Sequence, residues 1–328
     1  MNFRTQVELP HKGIKISHSD QIVLCGSCFA ENIGKLLENN KFRCYVNPFG
    51  ILYNPLSIAR ALNEAISEKK YQDSDLFHAS GMWHSWMHHS DFSSSSVEDC
   101  LLRINENLRL LIEKLPRMDW LIVTWGTAYG YFLQSTHEIV GNCHKQPDKL
   151  FYRRLLAVPE IVETWKWLLA ELKARNPKLK VLFTVSPIRH TKDGMHGNQL
   201  SKSTLLLAVD ELCNQCADCY YFPAYEIVMD ELRDYRFYAD DMVHLSDVAV
   251  NYIWECFGQC CFEAETKEII KEWEDVQKRL EHKPFNPESE AYQTFLSQIV
   301  LKIARIKEKF PYLEVQKEME LCESRLKK

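Results

Sequence analysis

The stretch QIVLCGSCFAENIGKLLENN, residues 21–40, joins a short apolar run to a helical pattern through a turn with two cysteines and a serine. Residues 22–25 are the apolar run and are typical of a buried strand. Phe29 and Ile33 follow at the spacing of one helix face. The stretch therefore predicts a strand that leads directly into a helix, with Ser27 at the first helical turn.

The same alternation of short apolar runs and helical patterns continues to about residue 262. Strands that alternate with helices favour a mostly parallel sheet covered by helices on both faces. Five strands suit the flavodoxin-like, doubly wound order, so we predict a three-layer α/β/α sandwich of the α/β class. The five predicted strands are residues 22–25, 42–50, 120–126, 181–187 and 219–227.

Two segments depart from this alternation. Residues 71–96 are rich in aromatic residues, histidine and serine and have no clean period, so we predict an irregular insertion there. After residue 262 the chain turns to charged helical patterns around a proline-containing linker. We therefore predict a domain over residues 1–262 and a charged helical extension over residues 263–328. The charged faces of that extension are expected to be solvated or to form a homo-oligomer contact.

The composition narrows the class of protein. The chain has 328 residues, of which 46% are hydrophobic and 26% charged, as in ordinary globular proteins. A formal net charge of −5 and the lack of a basic stripe argue against nucleic acid as a partner. No apolar run approaches the ~20 residues of a membrane span. Residues 1–16 lack a secretory signal, and the 12 cysteines then suggest a reducing compartment, so we expect a cytoplasmic protein.

Ser27 has two interpretations. Serine is a common helix N-cap, and this turn taken alone favours that structural role. The same position also suits a nucleophile, because a helix N-terminus presents free N–H groups and a partial positive charge to an oxyanion. Gly26 before it removes a side chain that would block the approach of a substrate. The choice depends on whether the chain offers a base.

A base and its orienting group stand late in the chain, in the sequence FYADDMVHLSD at residues 237–247. Asp241 and His244 are three residues apart, which lets a carboxylate on one turn reach the near ring nitrogen of the histidine. The far nitrogen would then face Ser27, as the arrangement of nucleophile, base and orienter requires. The alternative is a polar surface loop with an incidental D-x-x-H spacing.

The letters GSCFA at residues 26–30 spell the motif that names the GSCFA family, and further stretches resemble that family in the same order. The resemblance covers roughly residues 1–260 and is specific because several long motifs agree. These stretches are NPFGILYNP (47–55), TWGTAYGY (124–131), NCHKQP (142–147), SPIRHTKDGMHGNQLSKSTLL (186–206) and YFPAYEIVMDELRDYRFYADDMVH (221–244).

The GSCFA family in turn resembles the SGNH, or GDSL-type, hydrolases. In those enzymes a Gly-Asp-Ser turn carries the nucleophile and a late D-x-x-H supplies the orienting acid and the base. The resemblance therefore implies Ser27 as nucleophile, His244 as base and Asp241 as orienter. It implies a serine esterase or acyl hydrolase, for which we expect neither a metal nor a cofactor.

The chain departs from the hydrolase pattern in its oxyanion-binding blocks. The glycine of the second block matches Gly50, and the backbone N–H groups of Ser27 and Gly50 are expected to bind the oxyanion. The third block, usually G-x-N-D, begins here with Gly126-Thr127-Ala128, so Ala128 stands where the oxyanion-binding asparagine is expected. The loss of one such donor typically costs ~10²–10³ in rate. We expect Asn142 to replace it, with the Thr127 hydroxyl as the second choice.

Other residues are expected to bind the substrate. Arg189 and His190 follow the fourth predicted strand and can bind an anionic or polyhydroxylated ligand, although Arg189 can also pair with a surface acid. Lys202 is expected in the same loop, and residues 71–96 are expected to wall the pocket. A small acyl ester of a polar alcohol, such as an O-acetylated sugar, is the substrate that we favour by analogy.

Three alternatives remain open. The missing asparagine makes a non-catalytic ligand-binding relative the main one. The second is a thiol redox protein that uses Cys25 and Cys28, a C-x-x-C pair at a strand-to-helix turn. The third is a metal site at the evenly spaced cysteines of residues 213–219, for which core packing is the favoured explanation because free cysteine is usually buried.

Overall fold

The computed structural model describes residues 5–10 and 13–326. Its strands are β1 Gln21–Gly26, β2 Arg43–Val46, β3 Leu76–Ala79, β4 Met82–Ser85, β5 Trp120–Trp125, β6 Tyr129–Leu133, β7 Ile139–Val140, β8 Phe151–Leu155, β9 Lys180–Val185 and β10 Cys219–Tyr221. Its helices are α1 Cys28–Asn39, α2 Pro55–Ile66, α3 Val97–Lys114, α4 Val158–Arg175, α5 Gly194–Gln215, α6 Ala224–Glu226, α7 Asp247–Cys261, α8 Ala264–Glu281, α9 Glu290–Lys309 and α10 Gln316–Leu326.

Five strands form the central sheet in the spatial order β2-β1-β5-β9-β10, and each neighbouring pair is parallel. Counted along the chain, these strands lie in the order 2-1-3-4-5. The predicted flavodoxin-like α/β/α sandwich is therefore confirmed. In such a sheet the carboxyl ends of the strands lie at one edge, where ligands bind.

Helices cover both faces of the sheet, which is why its central strands are continuous apolar runs. Along β1, Val23 and Cys25 pack on one side into a cluster with residues of α2, α3, α4 and α5. Ile22 and Leu24 pack on the other side with residues of α1 and α7. Full burial of one such large apolar side chain stabilises the fold by about 1.5–3 kcal/mol.

The segment 71–96 is more regular than predicted. It contains the antiparallel hairpin of β3 and β4, whose two loop residues, Ser80 and Gly81, both have positive φ angles of 50° and 77°. That backbone is typical of a type I′ turn, which matches the twist of a hairpin. The prediction of an irregular insertion is therefore wrong for this part, because a two-residue Ser-Gly turn joins two strands that are too short to show a clear apolar period.

Two further features differ from the sequence-based expectation. The strands β6, β7 and β8 form a separate antiparallel sheet in the order β7-β6-β8, which was not predicted. The helical pattern after the fourth predicted strand predicts a helix from Thr204 to about Asp218, but α5 begins ten residues earlier, at Gly194. Both differences lie beside the carboxyl edge of the central sheet, so they change the surroundings of the site.

The last three helices share a buried apolar cluster of their own, which includes Trp273, Ile299 and Leu313. They also contact the sandwich: Trp273 donates a hydrogen bond of 2.9 Å to the Asn39 carbonyl, and Lys41 pairs with Glu318 at 2.6 Å. We keep the boundary near residue 262 as a proposal, with the helical extension packed against the end of α1.

The chain before β1 closes the sandwich by pairing with the end of α7. Ile16 forms a short parallel bridge with Phe262, and the Ile16 N–H donates to the Cys261 carbonyl over 2.7 Å. The Thr266 hydroxyl donates to the Ile16 carbonyl at 3.2 Å. Residues at the two ends of the predicted domain therefore hold each other in place.

Buried histidines predict an acid-sensitive fold. Burial lowers the pKa of His88 to about 3 and that of His144 to about 4. Because the unfolded chain binds these protons near pH 6.5, stability is present above that pH and is lost as the pH falls toward 4. His88 alone contributes on the order of 4 kcal/mol to this loss. We expect the urea midpoint to fall steeply between pH 6.5 and 4.

The matched variant is His88→Gln. His88 contacts the Ser85 hydroxyl through Nδ1 at 3.0 Å, a hydrogen bond that a neutral amide can replace. The variant is expected to be less stable at pH 7 but to have a shallower dependence of stability on pH. Parallel pH curves for the two proteins would show that His88 does not cause the acid sensitivity.

Candidate active site

The turn between β1 and α1 requires glycine at its centre. Gly26 has a φ angle of 147°, and a Cβ atom there would lie 2.2 Å from the Thr124 carbonyl oxygen. Its N–H donates to the Asn47 side-chain oxygen over 2.9 Å. The turn places Ser27 at the N-cap of α1, where its Oγ accepts a hydrogen bond of 3.3 Å from the Phe29 N–H.

The Asp241–His244 pair has the geometry that the D-x-x-H spacing predicts. One carboxylate oxygen of Asp241 lies 2.5 Å from His244 Nδ1, and the other accepts the backbone N–H groups of Val243 and His244 at 2.9 Å each. The hydrogen bond from His244 is the main cause that lowers the pKa of Asp241 to about 2. The carboxylate is therefore ionised, and the His244 Nε2 atom has no hydrogen-bond partner among the described residues.

One cavity of about 590 Å³ brings most of the predicted site residues together at the carboxyl edge of the sheet. Asp241 reaches this cavity through His244. Gly50 and Gly126 are not among its lining residues, and their N–H groups donate to the carbonyls of Asn47 and Tyr53. The predicted residues that line it are Ser27, Thr127, Asn142, Arg189, His190 and His244.

The position of Ala128 explains why the chain has no asparagine there, as the hydrolase pattern would require. Its side chain is fully buried in the apolar cluster under α2, α4 and α5 rather than at the cavity. An asparagine here would bury an amide among apolar side chains, which costs free energy unless the amide finds partners. The backbone N–H of Ala128 donates to the Ser201 hydroxyl over 2.7 Å. This part of the loop therefore supports the cavity without supplying an amide to it.

Asn142 and Thr127 are placed to donate hydrogen bonds into the cavity. The Asn142 side-chain oxygen accepts the His144 N–H at 2.8 Å, which leaves its NH₂ group without a partner among the described residues. The Thr127 oxygen accepts from the Tyr129 N–H at 3.1 Å and lies 3.0 Å from the Ser201 hydroxyl. When Ser201 donates to it, the Thr127 hydroxyl proton is free to point at a ligand.

Lys202 lies beneath the site and not in a loop at its edge, because α5 begins earlier than expected. Its ammonium donates to the Gly126 and Ser186 carbonyls at 2.6 Å each, which joins the ends of β5 and β9. No carboxylate of the described chain pairs with it, and burial lowers its pKa to about 7. The sequence has no clear helix-start signal near Gly194. Such a signal would have predicted that Lys202 lies within α5, on the face that packs against the sheet.

His190 is a neutral group at neutral pH. Burial is the main cause that lowers its pKa to about 4, and the charges of Lys202 and Arg153 add to the effect. Its ring packs edge-on against Tyr53 with the centroids 5.3 Å apart. Its backbone N–H donates to the Asn198 side chain at 3.0 Å. His190 is thus a fixed, uncharged wall of the cavity.

The walls of the cavity come from a different segment than expected. Residues 71–96, all of which the structure describes, are not among the lining residues. The Trp86 carbonyl instead supports the loop of Asn142 from behind by accepting its N–H at 3.1 Å. The second sheet supplies Tyr129, Tyr131 and Arg153 to the lining. The expectation that the insertion walls the pocket is therefore wrong.

The two cysteines of the turn point to opposite sides of the sheet. Cys25 packs in the cluster under α2 to α5, whereas Cys28 packs toward α1 and α7. Both thiols are free, and burial raises the pKa of Cys28 and raises that of Cys25 to about 12. A redox dithiol needs a thiolate at neutral pH. The geometry therefore gives no support to the C-x-x-C alternative.

No metal cluster is present in the described part of the chain, residues 5–10 and 13–326: nowhere there do three His, Cys, Asp or Glu side chains group as ligands. The evenly spaced cysteines of residues 213–219 pack against the core instead. A larger cavity of about 680 Å³ lies between β2 and the segment before α10, and none of the predicted site residues lines it. No helix in residues 5–10 and 13–326 has the length and apolarity to span a membrane.

Comparison with known proteins identifies the family. The GSCFA family matches residues 21–257, and the "GSCFA domain protein, C-terminal domain" matches residues 273–328. The protein therefore belongs to the GSCFA family. The first match runs from β1 into α7 and includes every residue that lines the cavity described above. The second covers most of the three C-terminal helices.

More distant comparisons add little. No curated protein matches the chain. Among solved structures, it is similar to a family two carbohydrate esterase from Clostridium thermocellum in complex with cellohexaose, at 14% identity and a TM-score of 0.24. That similarity covers 48% of this chain and 37% of the other. At so low a TM-score it carries no argument about activity or substrate.

Proposed function

We propose that the protein is a serine esterase that hydrolyses a small acyl ester of a polar alcohol, such as an O-acetylated sugar. The observation that carries this proposal is the His244–Asp241 pair, because His244 lines the same cavity as Ser27 and its Nε2 has no hydrogen-bond partner among the described residues. A nucleophile, a base and an orienting carboxylate are the parts that acyl transfer to serine requires.

In the proposed first step, Ser27 Oγ attacks the acyl carbon while His244 Nε2 accepts its proton. The bond from Phe29 N–H to Oγ is long at 3.3 Å, so little is lost when the hydroxyl turns toward a substrate. The C–O bond to the alcohol then breaks, and His244 returns the proton to the leaving oxygen. Asp241 keeps the imidazole in the tautomer that carries its proton on Nδ1.

The second step repeats this chemistry with water, which attacks the acyl-serine and releases the acid. In both steps negative charge collects on the former carbonyl oxygen. The Asn142 amide and the Thr127 hydroxyl are the proposed donors to that oxygen, since both residues line the cavity and each has a donor with no required partner among the described residues. The Ser27 N–H already donates to the Thr124 carbonyl at 3.2 Å, so it contributes only after a small local shift.

The cavity suits a polar alcohol better than a long acyl chain. Tyr129, Tyr131 and Arg153 form one wall, and Thr191 and Lys192 form another. Hydroxyl and cationic groups of this kind bind sugar hydroxyls but give no apolar channel for a lipid tail. We therefore propose that the acyl group of the substrate is short, such as acetyl.

A second function, ligand binding without turnover, is supported by one observation. The backbone N–H of Ser27, which commonly serves an oxyanion in this kind of site, is bonded to Thr124, and Ala128 offers no side-chain donor. A protein that keeps the pocket but has lost the reaction would have these features.

A panel of p-nitrophenyl esters from acetate to octanoate, together with a fluorophosphonate probe, separates the two functions. For an esterase we expect turnover that is fastest with acetate, and labelling that mass spectrometry maps to Ser27. Labelling should disappear in His244→Ala, because the base is then absent. A folded protein that neither turns over an ester nor reacts with the probe is the binding relative instead.

A further inference from the structure

The charge of the cavity is opposite to that of the chain. The protein has a formal net charge of −5. The cavity lining, however, contains Lys145, Arg153, Arg189 and Lys192, against a single carboxylate, Asp148, which gives a formal charge of +3 with histidines neutral. A cleft lined by one sign of charge concentrates ligands of the other sign.

Two of these cations are already engaged. Arg153 forms an ion pair with Asp193 just behind the lining and lies 4.1 Å from the Tyr129 ring centroid. Lys192 donates to the Tyr131 hydroxyl over 2.5 Å. The ion pair with Asp193 offsets one positive charge, whereas the hydrogen bond to the neutral Tyr131 hydroxyl offsets none. The surroundings of the cavity therefore keep a net positive formal charge.

Arg189 is different, because its guanidinium is half-buried and pairs with no carboxylate of the described residues. It lies over the Tyr238 ring, 5.1 Å from the centroid, and one Nη contacts the Met229 sulfur at 3.8 Å. Packing on an aromatic ring and a thioether holds the guanidinium in place but satisfies few of its five N–H donors.

Arg189 also lies where two cavities adjoin. It lines the main cavity with Ser27 and His244, and it lines a neighbouring cavity of about 280 Å³. That neighbouring cavity contains a second arginine, Arg233, together with Tyr235 and one acid, Asp234. A ligand whose ester lies at Ser27 can thus extend to a fixed guanidinium.

We propose that Arg189 binds an anionic group, a carboxylate or a phosphate, on the alcohol part of the substrate. This inference rests on the proposed esterase function for its catalytic consequence, but the binding itself does not need turnover. A guanidinium that packs on Tyr238 and has no carboxylate partner among the described residues can hold such a group with two parallel hydrogen bonds. The substrate class is therefore an acylated acidic sugar or sugar phosphate rather than a neutral one.

The experiment compares methyl 3-O-acetylglucoside with methyl 3-O-acetylglucuronate and with the 6-phosphate of the glucoside. The three esters differ only in the group at carbon 6 of the sugar, which is a neutral hydroxymethyl group, a carboxylate or a phosphate ester. We expect kcat/KM to be at least about ten-fold higher for one of the anionic esters at low salt, because a paired guanidinium contributes about that factor. The anionic ester with the larger increase in kcat/KM over the neutral ester shows whether the site prefers a carboxylate or a phosphate.

Arg189→Met keeps the packing on Tyr238 and removes the charge, so it should abolish the anionic preference. The matched control is Arg117→Met, an exposed arginine on the segment between α3 and β5, which changes the net charge equally. It should keep both the rate and the preference. An equal preference in Arg189→Met and Arg117→Met would overturn the proposal.

A binding measurement separates this inference from the esterase proposal. Calorimetry on Ser27→Ala with methyl glucuronate, methyl glucoside and methyl glucoside 6-phosphate tests recognition without chemistry. Tighter binding of an anionic ligand, lost in Ser27→Ala/Arg189→Met, supports the inference even when no ester is hydrolysed. Ester turnover with no anionic preference in either assay would contradict the inference and leave the esterase intact.

Discussion

Replacement of Ser27 by alanine is expected to lower kcat for p-nitrophenyl acetate by about 10⁴-fold or more, because the attacking oxygen is removed. The same change removes the cap of α1, which costs about 0.5–2 kcal/mol of stability. The loss of activity must therefore be measured at a temperature where circular dichroism shows the variant to be folded.

The matched control removes the two neighbouring thiols. A Cys25→Ala/Cys28→Ala double variant should keep its esterase rate within roughly ten-fold, since burial keeps both thiols neutral and Cys28, although it lines the cavity beside Ser27, takes no part in the proposed reaction. The opposite pattern, in which the double variant is inactive and Ser27→Ala is active, would rule out a serine mechanism and restore the thiol alternative.

Asp241→Asn is expected to lower kcat by about 10²–10⁴-fold with little change in stability. An amide at this position can donate to Nδ1 and so favours the wrong tautomer of His244, an effect of about 10⁴ where the carboxylate is buried. Here both side chains are about half exposed, at 54% for His244 and 51% for Asp241, so a smaller effect is within the expected range.

The adjacent Asp240→Asn is the control for charge, because Asp240 is exposed, does not line the cavity and is not the carboxylate that is bonded to His244. It should leave kcat unchanged. Since the pKa of Asp241 is lowered to about 2, the Asp241 carboxylate stays ionised above pH 4 and can hold the His244 tautomer throughout that range. Equal activities of Asp241→Asn and the wild-type protein would contradict the role of the pair.

The fold was predictable because its signals are local. Each central strand is an apolar run of a few residues, and each long helix has a periodic apolar face. The hairpin of β3 and β4 and the β6–β8 sheet were missed for a physical reason. Their strands are only half-buried and depend on turns such as Ser80-Gly81, so their apolar patterns are short and broken.

The site was predictable only in part. The turn at Ser27 and the D-x-x-H loop are short-range geometries that the sequence indicates, whereas their catalytic roles were implied by the family resemblance and stay predictions. The direction of Ala128 and the position of Lys202 are set by packing across the molecule, which the sequence pattern does not contain. The same holds for Gly50, whose N–H is used within its own turn. Tertiary contacts therefore determine which hydrogen-bond donors around the cavity remain available to a ligand.

The bridge between Ile16 and Phe262 has a consequence for synthesis on the ribosome. The Thr266 hydroxyl that completes this contact is 250 residues later in the sequence than Ile16. At about 5–20 residues per second, translation needs roughly 10–50 s to reach it. During that time α7 is missing and the apolar side of β1 and α1 stays uncovered. The nascent chain should therefore depend on chaperones until its last third has emerged.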